Sequence, residues 1–275
     1  MLDKKVAGSI FILLTFIYLA ILVWIGSSDG YAFDISKYLD SLPTLLSLSF
    51  LSYFLRYSRL NWLITRSQRK IKFIMGFAAY LSGFALTASP GKIGELVRIR
   101  YFDLIGLPPH RTIAGFIYER TFDVLVVFLL CLIGFHSLKA LYISSIFVFF
   151  VVLGVVTLVW NTSLVSSIFT RLRLATRFSS ILSGIEDGLQ GVRVWLTPLD
   201  IFMSLLIGLL AWGCAAVSFV VLLRAIGVDL ETYLALSLYP LAVLVGAASM
   251  IPGGFGTTEA AIVTLLSMHG VPLEL

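Results

Sequence analysis

Tyr118-Glu119-Arg120-Thr121-Phe122-Asp123 sets three ionisable side chains inside a stretch, from about 112 to 136, that is otherwise almost wholly apolar. A charge at the mid-depth of a bilayer costs about 2.5–3.5 kcal/mol or more, so residues of this kind are candidates for binding or transport wherever they lie at depth. In a helix, Glu119 and Asp123 fall on one face, and Arg120 stands three positions from Asp123, close enough to pair. Two readings stay open: an arginine–carboxylate lock between helices, or a polar site for a charged ligand. The two can coexist.

A second place is Pro90-Gly91-Lys92-Ile93-Gly94-Glu95-Leu96-Val97-Arg98. In a helix that starts near Gly94, Glu95 and Arg98 share a face and Arg100 points elsewhere. A helix N-terminus beside an arginine suits an anionic phosphate; an interfacial helix with solvated charges is the plainer alternative. Lys92 is read first as an interface charge and second as a phosphate contact. A third place is Glu259, which follows Pro252-Gly253-Gly254-Phe255-Gly256 and is the only acid between Glu231 and Glu274. It is either a site residue beside an unwound turn or an acid stabilised by a helix N-terminus.

Other chemistries find no residues to carry them. His110, His136 and His269 are scattered without metal-ligand spacing. Cys131 and Cys214 lie in apolar runs and read as packing residues. The sequence contains no nucleotide-binding glycine loop, zinc-protease helix or nucleophile elbow. We therefore expect no metal, no cofactor and no enzymatic activity. The net charge of +5 is read as membrane orientation, since no basic stripe with interleaved aromatics is present, and nucleic acid is excluded as a partner.

The elements that must position these residues are membrane helices. The chain is 59% hydrophobic and 13% charged, against roughly 25% charge in soluble proteins, and its mean hydropathy is +1.00. Residues 6–26, 140–170, 201–223 and 232–258 contain no Asp, Glu, Lys or Arg, and each is long enough to cross the hydrocarbon, which takes about 20 residues. Hydropathy predicts segments near 6–26, 39–57, 73–91, 112–136, 140–160, 199–223 and 232–268. The second is weak, because only 15 uncharged residues separate Asp40 from Arg56. The N-terminal run is read as the first membrane helix, with the N-terminus in the cytoplasm, because it is long for a signal-peptide core.

Segment 73–91 decides the topology. If it spans, Lys and Arg divide 10 to 9 between the two sides, with Arg120 left out as intrahelical. If 73–105 enters and leaves on the cytoplasmic side, they divide 16 to 3. The second count obeys the positive-inside rule. The segment is also rich in small residues and ends in Pro90-Gly91, and irregular backbone at depth is tolerated where protein shelters it.

Pro90, Gly91 and Gly94 before Glu95 have a counterpart in Pro252, Gly253, Gly254 and Gly256 before Glu259. Both stretches read P-G-x-x-G and both follow small apolar residues. We read a duplicated unit of two spanning helices, a broken hairpin and a further helix. Three crossings per unit make the second copy inverted, the plan by which many transporters build a central site. The expected fold is all-α: a polytopic membrane protein with two broken re-entrant hairpins in an inverted repeat. It forms a single domain over 1–275, with repeats at 1–137 and 138–275, the second without its last helix. Truncation of the chain after Leu275 would explain that shortfall.

The three motifs, Pro90 to Arg98, Glu119-Arg120-x-x-Asp123 and Ile251 to Ala261, together resemble the transmembrane region of lysylphosphatidylglycerol synthases. That region also occurs alone, in flippase-like bacterial and archaeal membrane proteins. The resemblance covers nearly the whole chain. In the two-domain synthases the region is taken to flip aminoacylated phosphatidylglycerol, which a separate cytosolic domain makes. The sequence has no such domain, so the resemblance implies translocation rather than aminoacyl transfer. Stand-alone relatives are associated with glycolipid, polyprenol-linked sugar and hopanoid pathways.

The resulting expectation is a lipid translocase of a bacterial or archaeal cytoplasmic membrane, moving a phospholipid, an aminoacyl-phospholipid or a lipid-linked glycan. Arg98 and Arg120 would meet the lipid phosphate. Glu95, Glu119, Asp123 and Glu259 would balance them or take a cationic head group. The competing expectation is a membrane subunit that scaffolds a partner enzyme of lipid modification and moves nothing.

Overall fold

A computed structural model describes residues 39–67, 70–87, 89–134, 179–249 and 251–271, with isolated positions between 146 and 167. The expected first span at 6–26 lies outside the described residues, and so does nearly all of the span at 140–160. The chain divides into two units, Met1–Leu42 and Pro43–Leu275. The first is described only at residues 39–42, and the second holds the helical bundle. The described residues form helices and no strand.

Helix α1 (Leu42–Arg66) is longer than its apolar sequence suggests. Pro43 is tolerated in its first turn, and its buried residues Ser52, Arg56, Arg59, Leu60 and Leu63 recur at helical spacing along one stripe. The sequence predicts an end near 57. The helix continues because Arg56 and Arg59 are buried against protein instead of marking an interface.

Helix α2 (Phe73–Ser82) tightens into a 3-10 turn, Gly83–Leu86. A second 3-10 stretch, Pro90–Val97, leads into the short helix α3 (Arg98–Leu104). The two 3-10 stretches pack on each other and α2 packs on α3, so the chain folds back as a hairpin. Small residues permit it. A Cβ on Gly83 would lie 3.1 Å from the Glu95 carbonyl oxygen and 3.2 Å from Arg98 Cδ. Ser89 Oγ accepts the Gly94 N–H at 2.5 Å and closes the tip.

Helix α4 (Pro109–Cys131) opens on a proline at its first position, where no intrahelical bond is lost. It is the central element, packing against α3 and against α5 (Ser179–Val192), α6 (Pro198–Ala225) and α7 (Thr232–Ala248). Helix α5 lies where the sequence predicts a cytoplasmic loop. Leu189, Val192 and the following Trp195 pack with Ala114, Tyr118 and Phe122 of α4. Thr197 caps α6: its hydroxyl accepts the Asp200 N–H at 3.2 Å and donates to Asp200 Oδ2 at 2.6 Å.

Helix α7 runs to Ala248 and α8 covers Thr257–Met268, with a 3-10 turn at Pro252–Gly254 between them. α7 and α8 pack together as a second hairpin, and that turn touches the Pro90–Val97 stretch. The two breaks therefore meet tip to tip.

Among the described residues, α6 alone is long and apolar enough by itself to cross a membrane. Its 28 residues extend about 42 Å. α1 and α4 are of spanning length, with 25 and 23 residues, but carry several charges. α2, α7 and α8 are shorter apolar helices.

Candidate functional site

The charges on α4 point into the protein and are met there by other elements. Asp123 is the hub. Its Oδ1 accepts from Arg59 Nη2 at 2.7 Å and its Oδ2 from Arg56 Nη1 at 3.1 Å. Arg120 Nη2, three positions earlier on the same helix, lies 3.1 Å from Oδ2. Glu119 takes a different set: Arg98 Nη2 donates to Oε2 at 2.6 Å and the Tyr80 hydroxyl to Oε1 at 3.0 Å. Glu95 accepts the Thr87 hydroxyl at 3.0 Å and stands 3.6 Å from Arg120 Nη2.

Three parts of the fold thus supply one ionic centre: α1, the first hairpin with the break inside it, and α4. Arg59, Glu95, Arg98 and Glu119 are each 1% exposed or less. Removing one partner of a buried pair of this kind costs about 3–5 kcal/mol, because a desolvated charge is left alone. Aromatic faces complete the surroundings of the arginines. The Arg56 guanidinium lies 4.3 Å from the Trp212 ring centre, and that of Arg98 lies 4.9 Å from the Tyr80 ring.

The charges do not balance. Four arginines (Arg56, Arg59, Arg98 and Arg120) face three carboxylates in these pairs. Buried donors are also in excess. Among the described residues, Nε and Nη1 of Arg59 and of Arg98, Nε of Arg120 and the Trp212 indole N–H have no hydrogen-bond partner, against one carboxylate oxygen, Glu95 Oε2, which the Arg120 charge faces.

Beside this centre lies a cavity of about 410 Å³. Arg56, Lys92 and Arg120 line it with positive charge, and Phe84, Trp212 and Phe219 supply apolar wall. Lys92 reaches it from the first break with φ of 58°, a conformation uncommon for a residue with a side chain.

A second polar cluster joins the end of α1 to the start of α6. Asp200, 1% exposed, accepts from Trp62 Nε1 at 3.0 Å and lies 3.3 Å from Arg66 Nε. The Tyr118 hydroxyl bonds Ser204 Oγ at 3.1 Å close by. This reads as an interhelical lock: its acid is satisfied by three donors and it borders no described cavity.

The structure brings Glu95, Arg98, Glu119, Arg120 and Asp123 together. Two sequence expectations need correction. Glu259, expected to balance the arginines or take a head group, is exposed on the first turn of α8, and neither it nor Glu95 is among the residues lining this cavity. Arg98 is also absent from the cavity wall, because Glu119 and the Tyr80 ring hold it fully buried. The residues that sequence reasoning missed are Arg56, Arg59, Tyr80, Thr87 and Trp212. Arg56 and Arg59 carried a signal, since they extend the helical spacing of Ser52 and Leu60, but a hydropathy reading takes any arginine as the end of a span.

A helical bundle with arginine–carboxylate pairs sealed within it, beside a cavity both cationic and apolar, is consistent with an all-α membrane domain with a buried ionic centre. More particularly, the chain belongs to the lysylphosphatidylglycerol synthase TM region family, which matches residues 6–275. That membership places it among membrane domains related to lipid modification or translocation. No curated protein and no solved structure matches the chain.

Proposed function

We propose that this protein is a lipid translocase of a bacterial or archaeal cytoplasmic membrane, with its N-terminus in the cytoplasm. The two hairpins re-enter the bilayer from opposite sides as halves of an inverted repeat. The cavity beside their junction receives the phosphate of a phospholipid, an aminoacyl-phospholipid or a lipid-linked glycan, while the acyl chains remain in the bilayer. Arg56, Lys92 and Arg120 hold the phosphate. The protein catalyses no covalent step, and an ion gradient or the lipid gradient itself drives the movement.

One observation carries this reading: a cavity lined both by three cations and by aromatic and aliphatic residues, against the first break, which contributes Lys92. A phosphate at a cluster of arginines gains charge-assisted hydrogen bonds, and broken helices meeting at depth are how membrane transporters build such sites. The tip-to-tip contact of the two breaks and the 16-to-3 charge division support the re-entrant arrangement.

The test is reconstitution of the purified protein into liposomes with fluorescent phosphatidylglycerol in both leaflets. Dithionite quenches only the outer leaflet of empty liposomes. With a translocase it quenches nearly all the fluorescence in vesicles that hold protein, and Arg120→Gln lowers the rate. Quenching that stays at the level of empty liposomes rejects translocation and leaves the scaffold of a lipid-modifying enzyme as the reading.

A further inference from the structure

The cavity's chemistry goes beyond a general affinity for lipid phosphate, and the inference drawn from it rests on the lipid-site reading above. We infer that the cavity selects a head group that is anionic and carries no amine, and discriminates against aminoacylated, cationic lipids. Among the described residues, the three side chains that bring formal charge to its wall, Arg56, Lys92 and Arg120, are all positive, and none of the lining residues is a carboxylate. The three acids of the centre lie behind that wall. Asp123 is engaged by Arg56, Arg59 and Arg120, Glu119 by Arg98 and Tyr80, and Glu95 by Thr87 and Arg120.

An ammonium group entering the cavity would face three cations and, among the described residues, no free carboxylate on the wall. On Trp212 one ring face is already taken, by the Arg56 guanidinium at 4.3 Å from the ring centre. Six hydroxyls line the cavity: those of Ser52, Thr87 and Ser218 already donate their protons, to the Ala211 carbonyl, Glu95 and the Cys214 carbonyl, and those of Ser49, Tyr53 and Tyr239 are the others. Their remaining lone pairs are neutral and offer an ammonium little against the repulsion.

A phosphate meets the opposite situation. It only accepts hydrogen bonds, and the wall carries donor side chains: the Arg56 and Arg120 guanidinium groups and the Lys92 ammonium. The charge count agrees. Four arginines against three carboxylates leave one positive charge, and Lys92, which takes no part in those pairs, adds a second. A phosphodiester cancels one of these, and a phosphomonoester, with a charge of about −1.5 to −2, cancels nearly both. An aminoacyl ester with two amines would raise the total.

The experiment measures binding to the full-length chain in detergent by native mass spectrometry. The probes are dioctanoyl phosphatidylglycerol, dioctanoyl lysyl-phosphatidylglycerol, dioctanoyl phosphatidylcholine and inorganic phosphate. Phosphatidylglycerol is expected to bind at least about ten-fold more tightly than the lysyl ester. Lys92→Gln leaves the arginine–carboxylate pairs in place. It is expected to weaken phosphatidylglycerol and narrow its margin over the lysyl ester, with Arg120→Gln as a second variant. Equal or tighter binding of the lysyl ester, or a margin that neither substitution changes, overturns the selectivity and leaves a lipid site standing. If phosphatidylglycerol binds no better than phosphatidylcholine, the selectivity fails; if none of the three lipids binds, the lipid-phosphate site itself fails and the selectivity with it. Inorganic phosphate that competes as well as phosphatidylglycerol keeps the anion selectivity and overturns the lipid reading.

Discussion

The first break keeps its acid sealed in and the second holds its acid out. Glu95 is 1% exposed, held by Thr87 and faced by Arg120, whereas Glu259 is exposed on the first turn of α8. Their glycines differ as well. Gly94 leaves room for a tight tip: a Cβ there would lie 2.7 Å from Ser89 Oγ and 2.8 Å from Leu86 Cβ. Gly256 stands in open space, with nothing within 4 Å of where its Cβ would be, but its φ of 78° lies in the left-handed region. Two stretches with nearly the same spelling therefore do different work. The first brings charge to the centre and is held by packing. The second provides a sharp backbone turn against which the first can close.

The strongest way to break this contrast is to remove the hub that the first break helps to surround. Asp123→Asn leaves Arg56 and Arg59 without a carboxylate, and should cost about 3–5 kcal/mol of stability. Thermal unfolding in detergent, read with a thiol-reactive dye that reaches the buried Cys131 only on opening, should show a large drop in midpoint. A midpoint close to that of the parent protein would mean the arginines are solvated and the centre is not sealed.

The glycines test packing against backbone conformation. Gly94→Ala should cost about 1–3 kcal/mol, because the added methyl forces the hairpin tip apart. Gly256→Ala should cost about 1 kcal/mol, through the left-handed conformation alone. The same unfolding assay measures both. Restoring the backbone preference separates them further: Gly256→Asn should recover part of the loss, since asparagine tolerates that region, and Gly94→Asn should not. Recovery at both positions would erase the distinction drawn between the breaks.

The smallest effect is expected at the second acid. Glu259→Gln should change stability by less than about 0.5 kcal/mol, as for an exposed side chain, and leave lipid movement in liposomes near the parent rate. A loss comparable to that of Arg120→Gln would return Glu259 to the site and restore the symmetry that the sequence suggested.

The amino-acid sequence by itself determined the solvent and the punctuation of this protein. Its scarcity of charge and its apolar runs require helices in a membrane setting, and Pro90-Gly91 and Pro252-Gly253 mark where helices must stop. The i,i+3 spacing of Arg120 and Asp123 was enough to predict their contact, because a helix fixes that geometry locally. Tertiary structure decided who else joins. Arg56 and Arg59 reach Asp123 across 67 and 64 positions, and Arg98 pairs with Glu119 instead of facing the cavity. An arginine reads in sequence as the edge of a membrane span, because an unpaired guanidinium cannot stay in hydrocarbon. Only when the fold sets a carboxylate within about 3 Å of it, as Asp123 stands to Arg59 at 2.7 Å, does the same residue become part of the interior. Glu259, exposed on the first turn of α8, has no arginine paired with it among the described residues.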